Sequence, residues 1–201
     1  MTSHYVIRRW EAAALLVLAS TALQGCLDAL IVGGMATGAV VAADRRQSEV
    51  LLGDQRIEFA ASSRIGEATK DQGHVNITAY NNVVLLTGEV PTAEMKAQTE
   101  KIASEVPNVK SVVNEIQIAG VSSLGSRTND SYLTSKVKGN FVGSNKFLPN
   151  HVKVVTEAGV VYLMGLVTRE EADAAAEAAR STSGVQKVVR VFEYIPAPAG
   201  K

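Results

Sequence analysis

The chain contains two copies of one sequence pattern, and this repeat sets the strongest limit on its fold. Residues 74–90 (HVNITAYNNVVLLTGEV) align without gaps with residues 151–167 (HVKVVTEAGVVYLMGLV) at a spacing of 77 residues. Further along, residues 108–116 align with residues 184–192 at a spacing of 76, because the second copy lacks one residue of a loop. The pattern indicates two copies of one small folding unit rather than one large domain.

Each copy predicts the element order αββαβ. In the first copy, residues 75–80 alternate between apolar and polar side chains, Asn81-Asn82 offers a turn, and apolar residues follow, which is typical of a β-hairpin. The second copy has Ala158-Gly159 at this turn. Helical spacing flanks each hairpin, and a β-branched third strand ends each copy. The helix before the hairpin has an apolar core stripe: Ile57, Ala61 and Ile65 in the first copy, and Leu133, Val137 and Phe141 in the second.

The sequence therefore predicts an α+β fold with two tandem αββαβ domains after a signal peptide and an apolar N-terminal segment. The expected boundaries are 49–119 and 129–195 for the domains, 120–128 for the linker and 196–201 for a disordered Pro-containing tail.

The first 25 residues have the layout of a secretory signal peptide, with Arg8 and Arg9 before a short apolar run. The sequence Leu-Gln-Gly-Cys ending at Cys26 resembles a bacterial lipobox, which implies that Cys26 carries acyl chains, palmitate among them, after maturation. Cys26 is the only cysteine, so an internal disulfide is excluded. Two other interpretations stay open: a lone buried cysteine near an apolar terminus, and a twin-arginine signal.

Residues 26–48 predict a lipidated apolar anchor and linker. As a helix, residues 29–43 would reach about 22 Å, which is short of the ~30 Å of a hydrocarbon core. We expect this segment to lie against the membrane beside the lipid, with a transmembrane helix as the alternative. Residues 44–49 are polar and predict the exit into water.

Both copies carry the signature Val-x-Leu-x-Gly-x-Val, at residues 84–90 and 161–167. Together with the αββαβ order, this signature resembles the BON domain of bacterial envelope proteins. The lipobox, the apolar segment and two such units are similar to the dual-BON outer-membrane lipoproteins of the DolP type. The resemblance implies phospholipid binding, with the first helix of the second unit touching anionic lipid. We expect such a protein to support outer-membrane integrity and to concentrate at anionic or curved membrane, the division site included.

Only the second copy has an excess of basic side chains. Residues 54–119 contain six basic and nine acidic residues, and residues 127–195 contain nine basic and seven acidic ones. On the first helix of the second copy, Tyr132, Lys136 and Gly139 fall on one side, beside the core stripe. A tyrosine suits a membrane interface because it has an apolar ring and a polar tip. The predicted lipid-binding residues are Tyr132, Lys136, Lys138, Gly139 and, as a second apolar contact, Phe147.

Alternatives remain for this site. Tyr132 could pack against the linker or the first copy, and a loop such as the one at Phe147 is more often part of a core. A second class of function is a protein–protein scaffold for the outer-membrane protein assembly machinery, engaged through the acidic first copy or the sheet edges.

The residue after the lipobox cysteine bears on the location. Leu27 rather than Asp follows Cys26, which by the family's sorting rule favours the outer membrane, with the protein facing the periplasm.

The sequence argues against an enzyme. His74 and His151 hold equivalent positions in the two copies, which indicates a role in the fold, and no His or Cys spacing predicts a metal site. We expect no cofactor and no small-molecule substrate. The formal net charge is zero, which gives no support to nucleic-acid binding.

Overall fold

The computed structural model describes residues 44–70 and 72–197. The predicted signal peptide, the lipobox cysteine, residues 26–43 of the apolar anchor and residues 198–201 of the tail lie outside the described residues. Within the described ranges, no helix combines the length and the apolarity needed to cross a membrane. The described residues belong to one compact unit, 43–201.

The first domain has the predicted order αββαβ. Its elements are α1 (Ser48–Thr69), β1 (His74–Tyr80), β2 (Val83–Val90), α2 (Ala93–Ser104) and a third strand in two pieces, β3 (Ser111–Asn114) and β4 (Gln117–Ile118). In the sheet, β2 is central: it pairs antiparallel with β1 and parallel with both β3 and β4.

The second domain repeats this order. Its elements are α3 (Leu124–Ser144), a short 3-10 helix (Pro149–His151), β5 (Val152–Glu157), β6 (Val160–Val167), α4 (Arg169–Arg180) and β7 (Lys187–Tyr194). Helix α3 begins inside the segment predicted as linker, because the Ser123 hydroxyl accepts the N–H of Ser126 and so caps the helix at that point.

Both hairpin turns lie where the sequence predicts them. Asn81 and Asn82 have φ values of 52° and 68°, and Ala158 and Gly159 have φ values of 49° and 75°. Two successive residues with positive φ form the tight turn that matches the twist of the flanking strands.

A buried aspartate supports each turn from the first helix of its domain. The carboxylate of Asp54 accepts the backbone N–H groups of Asn81 and Asn82, both at 2.8 Å. Asp130 does the same for Ala158 and Gly159, at 2.9 and 2.8 Å. Each carboxylate therefore ties a helix to a hairpin.

The third strands of the two domains differ. In the first domain the Asn114 side-chain oxygen accepts the N–H of Ile116, and the strand is interrupted between β3 and β4. Ile116 is fully buried in the core as a result. The corresponding strand β7 of the second domain runs without a break over eight residues.

The helices of each domain cover one side of its sheet. The predicted core stripes of α1 and α3 are confirmed, since all six of their side chains are buried. In the first domain α1 packs on Val84 and Leu86, and in the second domain α3 packs on Val161 and Leu163.

The other sides of the two sheets pack against each other. Tyr80, Leu85, Tyr162 and Met164 form one buried cluster that contains residues of both domains. The described structure therefore has four layers, in the order helices, sheet, sheet, helices, and it buries both faces of the central strands β2 and β6.

Polar contacts accompany this apolar interface. Among the described residues, four side-chain pairs join the domains: Asn76 with Glu157 (2.7 Å), Thr87 with Glu157 (3.2 Å), Asn81 with Glu193 (2.8 Å) and Lys153 with Glu58 (3.0 Å).

The polar segment before α1 also contacts both domains, and it does not simply lead into water as its composition predicts. Arg45 forms two 2.7 Å hydrogen bonds with the carboxylate of Glu171 and a third, at 2.9 Å, to the carbonyl of Leu166. The neighbouring Arg46 bonds Asp54 at 2.7 Å and lies 3.9 Å from the ring centroid of Tyr80. Consecutive arginines thus hold the second and the first domain respectively.

Candidate lipid-binding site

The exposed side of α3 carries three of the predicted site residues together. Tyr132 is 62% exposed, and the Lys136 ammonium lies 5.5 Å from its ring centroid. Gly139 is exposed as well, and no atom lies within 4 Å of the place where a Cβ would be. Tyr132 is therefore not packed against the linker or the first domain. A bilayer surface could approach the helix backbone closely at Gly139.

The charge on this side of α3 is entirely basic. Asp130 is the single acidic residue between Leu124 and Ser144, and it is buried under the hairpin turn. Helix α1 of the first domain differs, because its exposed residues include Glu49 and Glu67. The surface of α3 therefore has no carboxylate that would repel an anionic headgroup.

The two lysines of the site are held differently. Lys136 donates a 2.7 Å hydrogen bond to the carbonyl of Ser183, in the loop after α4. Lys138 is exposed, and within the described part of the chain it forms no ion pair. Lys138 can therefore turn toward a ligand without breaking a contact, whereas Lys136 also supports the fold.

Phe147 has a different place from the predicted one. It is 7% exposed and packs edge-on against Phe141, with ring centroids 5.0 Å apart at an angle of 77°. This corrects the expectation of a lipid contact: the ring belongs to the core of the second domain. The exposed apolar side chains at this end of α3 are those of Val142 and Leu148.

A groove of about 580 Å³ lies at the same end of the helix. Its lining includes Val142, Lys146 and Leu148 together with Arg45 and Glu171. The last part of the predicted anchor and linker therefore meets the second domain beside the apolar end of the site. Sequence patterns alone did not place Val142 and Arg45 there, because their proximity depends on how the chain before α1 crosses to the second domain.

Glu171 is the acidic residue in the lining of this groove. Hydrogen bonds from the Arg45 guanidinium, together with the backbone N–H of Thr168, lower the pKa of Glu171 to about 2. The same carboxylate completes a capping box at the start of α4, where Thr168 is the capping residue. Both oxygens of the Glu171 carboxylate therefore already accept hydrogen bonds that support the fold.

We expect the Arg45–Glu171 pair to contribute stability that is lost in acid. A carboxyl group whose pKa falls from 4.5 to about 2 on folding stabilises the native state fully above about pH 5, and this contribution fades as the pH falls toward 2. Replacing Arg45 with alanine should therefore reduce the free energy of unfolding by about 1–2 kcal/mol at pH 6, and by much less at pH 3, because the Thr168 N–H still lowers the pKa of Glu171 and water screens the partly exposed pair. Urea unfolding of both proteins at the two pH values measures this.

The difference between the two proteins is the quantity to follow. Burial raises the pKa of Glu157 and so gives a pH dependence of opposite sign, but Arg45→Ala leaves that residue unchanged. An equal loss of stability at pH 6 and pH 3 would contradict the prediction.

The two histidines hold the equivalent positions that the repeat predicts. His74 begins β1, and His151 ends the 3-10 helix directly before β5. In both cases the backbone carbonyl faces a glycine in the second strand of the hairpin, Gly88 in β2 or Gly165 in β6. Among residues 44–70 and 72–197, no group of three or more His, Cys, Asp or Glu side chains is arranged to hold a metal ion.

Comparison with known proteins gives a family and several relatives. The BON domain model matches residues 53–120 and 129–196. The chain is 38% identical to the outer membrane lipoprotein DolP of Haemophilus influenzae over 184 residues, which cover 90% of this chain and 95% of the relative. It is 31% identical to the 21 kDa hemolysin of Actinobacillus pleuropneumoniae, covering 76% and 79% of the two chains. It is 25% identical to the osmotically-inducible protein Y of Escherichia coli K12, covering 81% and 90%.

Proposed function

We propose that the second domain of this chain binds anionic phospholipid through the exposed side of α3. The chain itself belongs to the BON-domain family and is a lipid-anchored outer-membrane protein of the DolP type. The predicted family and membrane are thereby confirmed. The proposal adds Cys26 as the lipidated residue, a periplasmic orientation, no catalytic activity, and a role in outer-membrane integrity that extends to the division site.

The observation that supports this function is the chemistry of one helix side. Between Leu124 and Lys146, the exposed residues include Tyr132 and Val142 as apolar groups and Lys138 as a free cation, and no exposed acid lies among them. An aromatic ring and aliphatic groups favour the bilayer interface, and cations favour negative headgroups. The proposed lipid contacts are Tyr132, Lys136, Lys138, Gly139, Val142 and Leu148.

The expected binding free energies limit what the site on α3 can contribute. A lipid anchor with more than one acyl chain holds a protein on a membrane durably, at ~0.8 kcal/mol for each buried CH₂. Each lysine near an anionic surface adds only about 1 kcal/mol. The site on α3 therefore does not decide whether the protein stays on the membrane. It decides which part of the membrane the protein prefers and how the protein is oriented there.

A lipid at Cys26 would attach the protein 18 residues before Asp44, the first described residue. Attachment at that point does not specify which surface of the domains faces the bilayer, so the surface chemistry of the domains selects it. Because tethering raises the local concentration of lipid, a weak site is sufficient.

We expect a double change on α3 to weaken vesicle binding. In a chain of residues 43–201, Tyr132→Ala with Lys138→Glu removes the interfacial ring and reverses one charge. Its affinity for phosphatidylglycerol vesicles should fall by at least about tenfold, because the charge reversal alone is worth about 2 kcal/mol. Vesicle co-sedimentation measures the effect, and phosphatidylcholine vesicles should bind both proteins equally weakly.

The matched control is Arg64→Glu on α1, which changes the net charge by the same amount on the first domain and should change binding much less. Lys136 is left intact because it also bonds Ser183. Equal effects of the double variant and the control would show a general charge attraction and contradict a site on α3.

The alternative function is a scaffold for the outer-membrane protein assembly machinery. The acidic surface at α2 favours it, since Glu94 and Glu100 on the helix and Glu105 directly after it are all exposed. Failure of the wild-type protein to bind phosphatidylglycerol vesicles would favour this alternative over lipid binding.

A further inference from the structure

An exposed apolar stripe on α1 has no role in the fold or in the proposed lipid site. Phe59 is 79% exposed and Leu52 is 55% exposed, which are high values for large apolar side chains on a folded domain. Both lie on the side of the helix opposite its core stripe. Scattered apolar residues are normal on protein surfaces, so exposure alone assigns nothing. The spacing of these residues is the observation that indicates a role for the stripe.

The stripe follows a heptad centred on the middle of the helix. Leu52 and Gly66 each lie seven residues from Phe59, and Phe59 is the twelfth of the 22 residues of α1. A seven-residue period keeps side chains on one seam between two paired helices. Gly66 is exposed, and no atom lies within 4 Å of the place where a Cβ would be.

This arrangement is complementary to itself when two helices run antiparallel. With the two Phe59 rings at the centre, Leu52 of each helix lies opposite Gly66 of the other, so a large side chain meets an open position. A two-fold axis produces this pairing twice, as an interface between identical subunits requires.

The charges at the ends of α1 match the same pairing. Glu49 lies in the first turn and Lys70 directly follows the last, and both are exposed. An antiparallel partner centred on Phe59 brings each Glu49 to within one residue of the register of the opposite Lys70. A parallel partner would instead place like charges side by side.

The layer order keeps this surface apart from the lipid site. The two sheets pack face to face, so α1 and α3 lie on opposite outer sides of the described structure. We infer that α1 is a homodimerisation helix, which pairs antiparallel with α1 of a second copy through Leu52, Phe59 and Gly66. A common membrane tether would raise the effective concentration of the copies, so a modest affinity suffices.

Sedimentation equilibrium of residues 43–201 tests the inference directly. The wild-type chain should show a monomer–dimer equilibrium, and Phe59→Ser should raise the dimer dissociation constant by at least about tenfold. Tyr132→Ser is the matched control, because it removes a similarly exposed aromatic ring from α3 and should leave the dissociation constant unchanged. Since Phe59 is largely exposed, its replacement should leave the monomer folded, which circular dichroism checks.

Two further variants identify the antiparallel register. Gly66→Leu should abolish the dimer by filling the position opposite Leu52, while the helix of the monomer is expected to be as stable or more stable. Glu49→Lys and Lys70→Glu should each weaken the dimer, and their combination should restore it. A wild-type chain that stays monomeric at its highest soluble concentration overturns the inference, as does a combined charge swap that fails to restore association.

Discussion

Gly88→Ala is expected to unfold the first domain, with a loss of at least about 3 kcal/mol in the free energy of unfolding. A Cβ at this position would clash with the carbonyl oxygen of His74 and would lie 3.3 Å from the Cα of Val75. Both obstacles are backbone atoms of β1, which pairs with β2 over its full length, so neither side can move without breaking the hairpin. Gly88 also has a φ of 108°, where residues with a Cβ are strained.

Urea unfolding measures this loss, and the effect should extend to the second domain. Tyr162 and Met164 are buried partly against the sheet of the first domain, so loss of that sheet exposes them. Gly139→Ala on α3 is the control, since a Cβ there meets nothing and alanine favours a helix by up to about 1 kcal/mol. A Gly88→Ala protein with less than about 1 kcal/mol of destabilisation would contradict this account of the signature glycine.

The fold follows closely from the repeat. The two hairpins, the two turns with positive φ and the six core residues of α1 and α3 all occupy the places that the sequence predicts. These features depend on local chemistry, on period-2 and period-3.6 patterns and on turn residues, which a sequence displays directly. The duplication strengthens each of these predictions, because every pattern occurs twice at equivalent positions of the two copies.

The contact between the two sheets was not predicted, although a signal for it exists. The central strands read VVLL at residues 83–86 and VVYLM at residues 160–164, which are continuous apolar runs rather than alternating ones. Strands with such runs are usually buried on both faces. Leu85 and Tyr162 are the residues that a one-sided sheet would leave in water, and both are buried between the domains.

Helical spacing predicted the exposed residues in the middle of α3, but the sequence did not predict where the side chain after the helix points. Helical spacing placed Tyr132, Lys136 and Gly139 on one exposed side, because that side is fixed by the core stripe of the same helix. Phe147 follows the helix in an irregular loop, where no period indicates whether a side chain points inward. Its burial against Phe141 is a tertiary contact that sequence patterns do not encode.

Asp54→Ala is expected to be the second most damaging change, with a loss of about 3 kcal/mol in the free energy of unfolding. The Asp54 carboxylate is almost fully buried and accepts three hydrogen bonds: two from the turn at Asn81 and Asn82, and one at 2.7 Å from Arg46. Alanine would leave two partly buried N–H groups and part of a largely buried guanidinium without partners. Removing one partner of a buried ion pair typically costs 3–5 kcal/mol. The value here lies at the low end because Asp44 still bonds Arg46.

The equivalent residue of the second domain separates the two contributions to this loss. Asp130 accepts the same two turn N–H groups, and no ion pair involving it occurs among the described residues. Asp130→Ala should therefore cost less, about 1–2 kcal/mol, because only backbone donors lose their partner and the N–H of the exposed Ala158 can bond water instead. Urea unfolding of both variants compares them, and an Asp130→Ala loss equal to that of Asp54→Ala would mean that the arginine adds nothing. The expected excess for Asp54 measures how firmly the segment leading from the membrane anchor is fixed to the first domain, because Arg46 belongs to that segment.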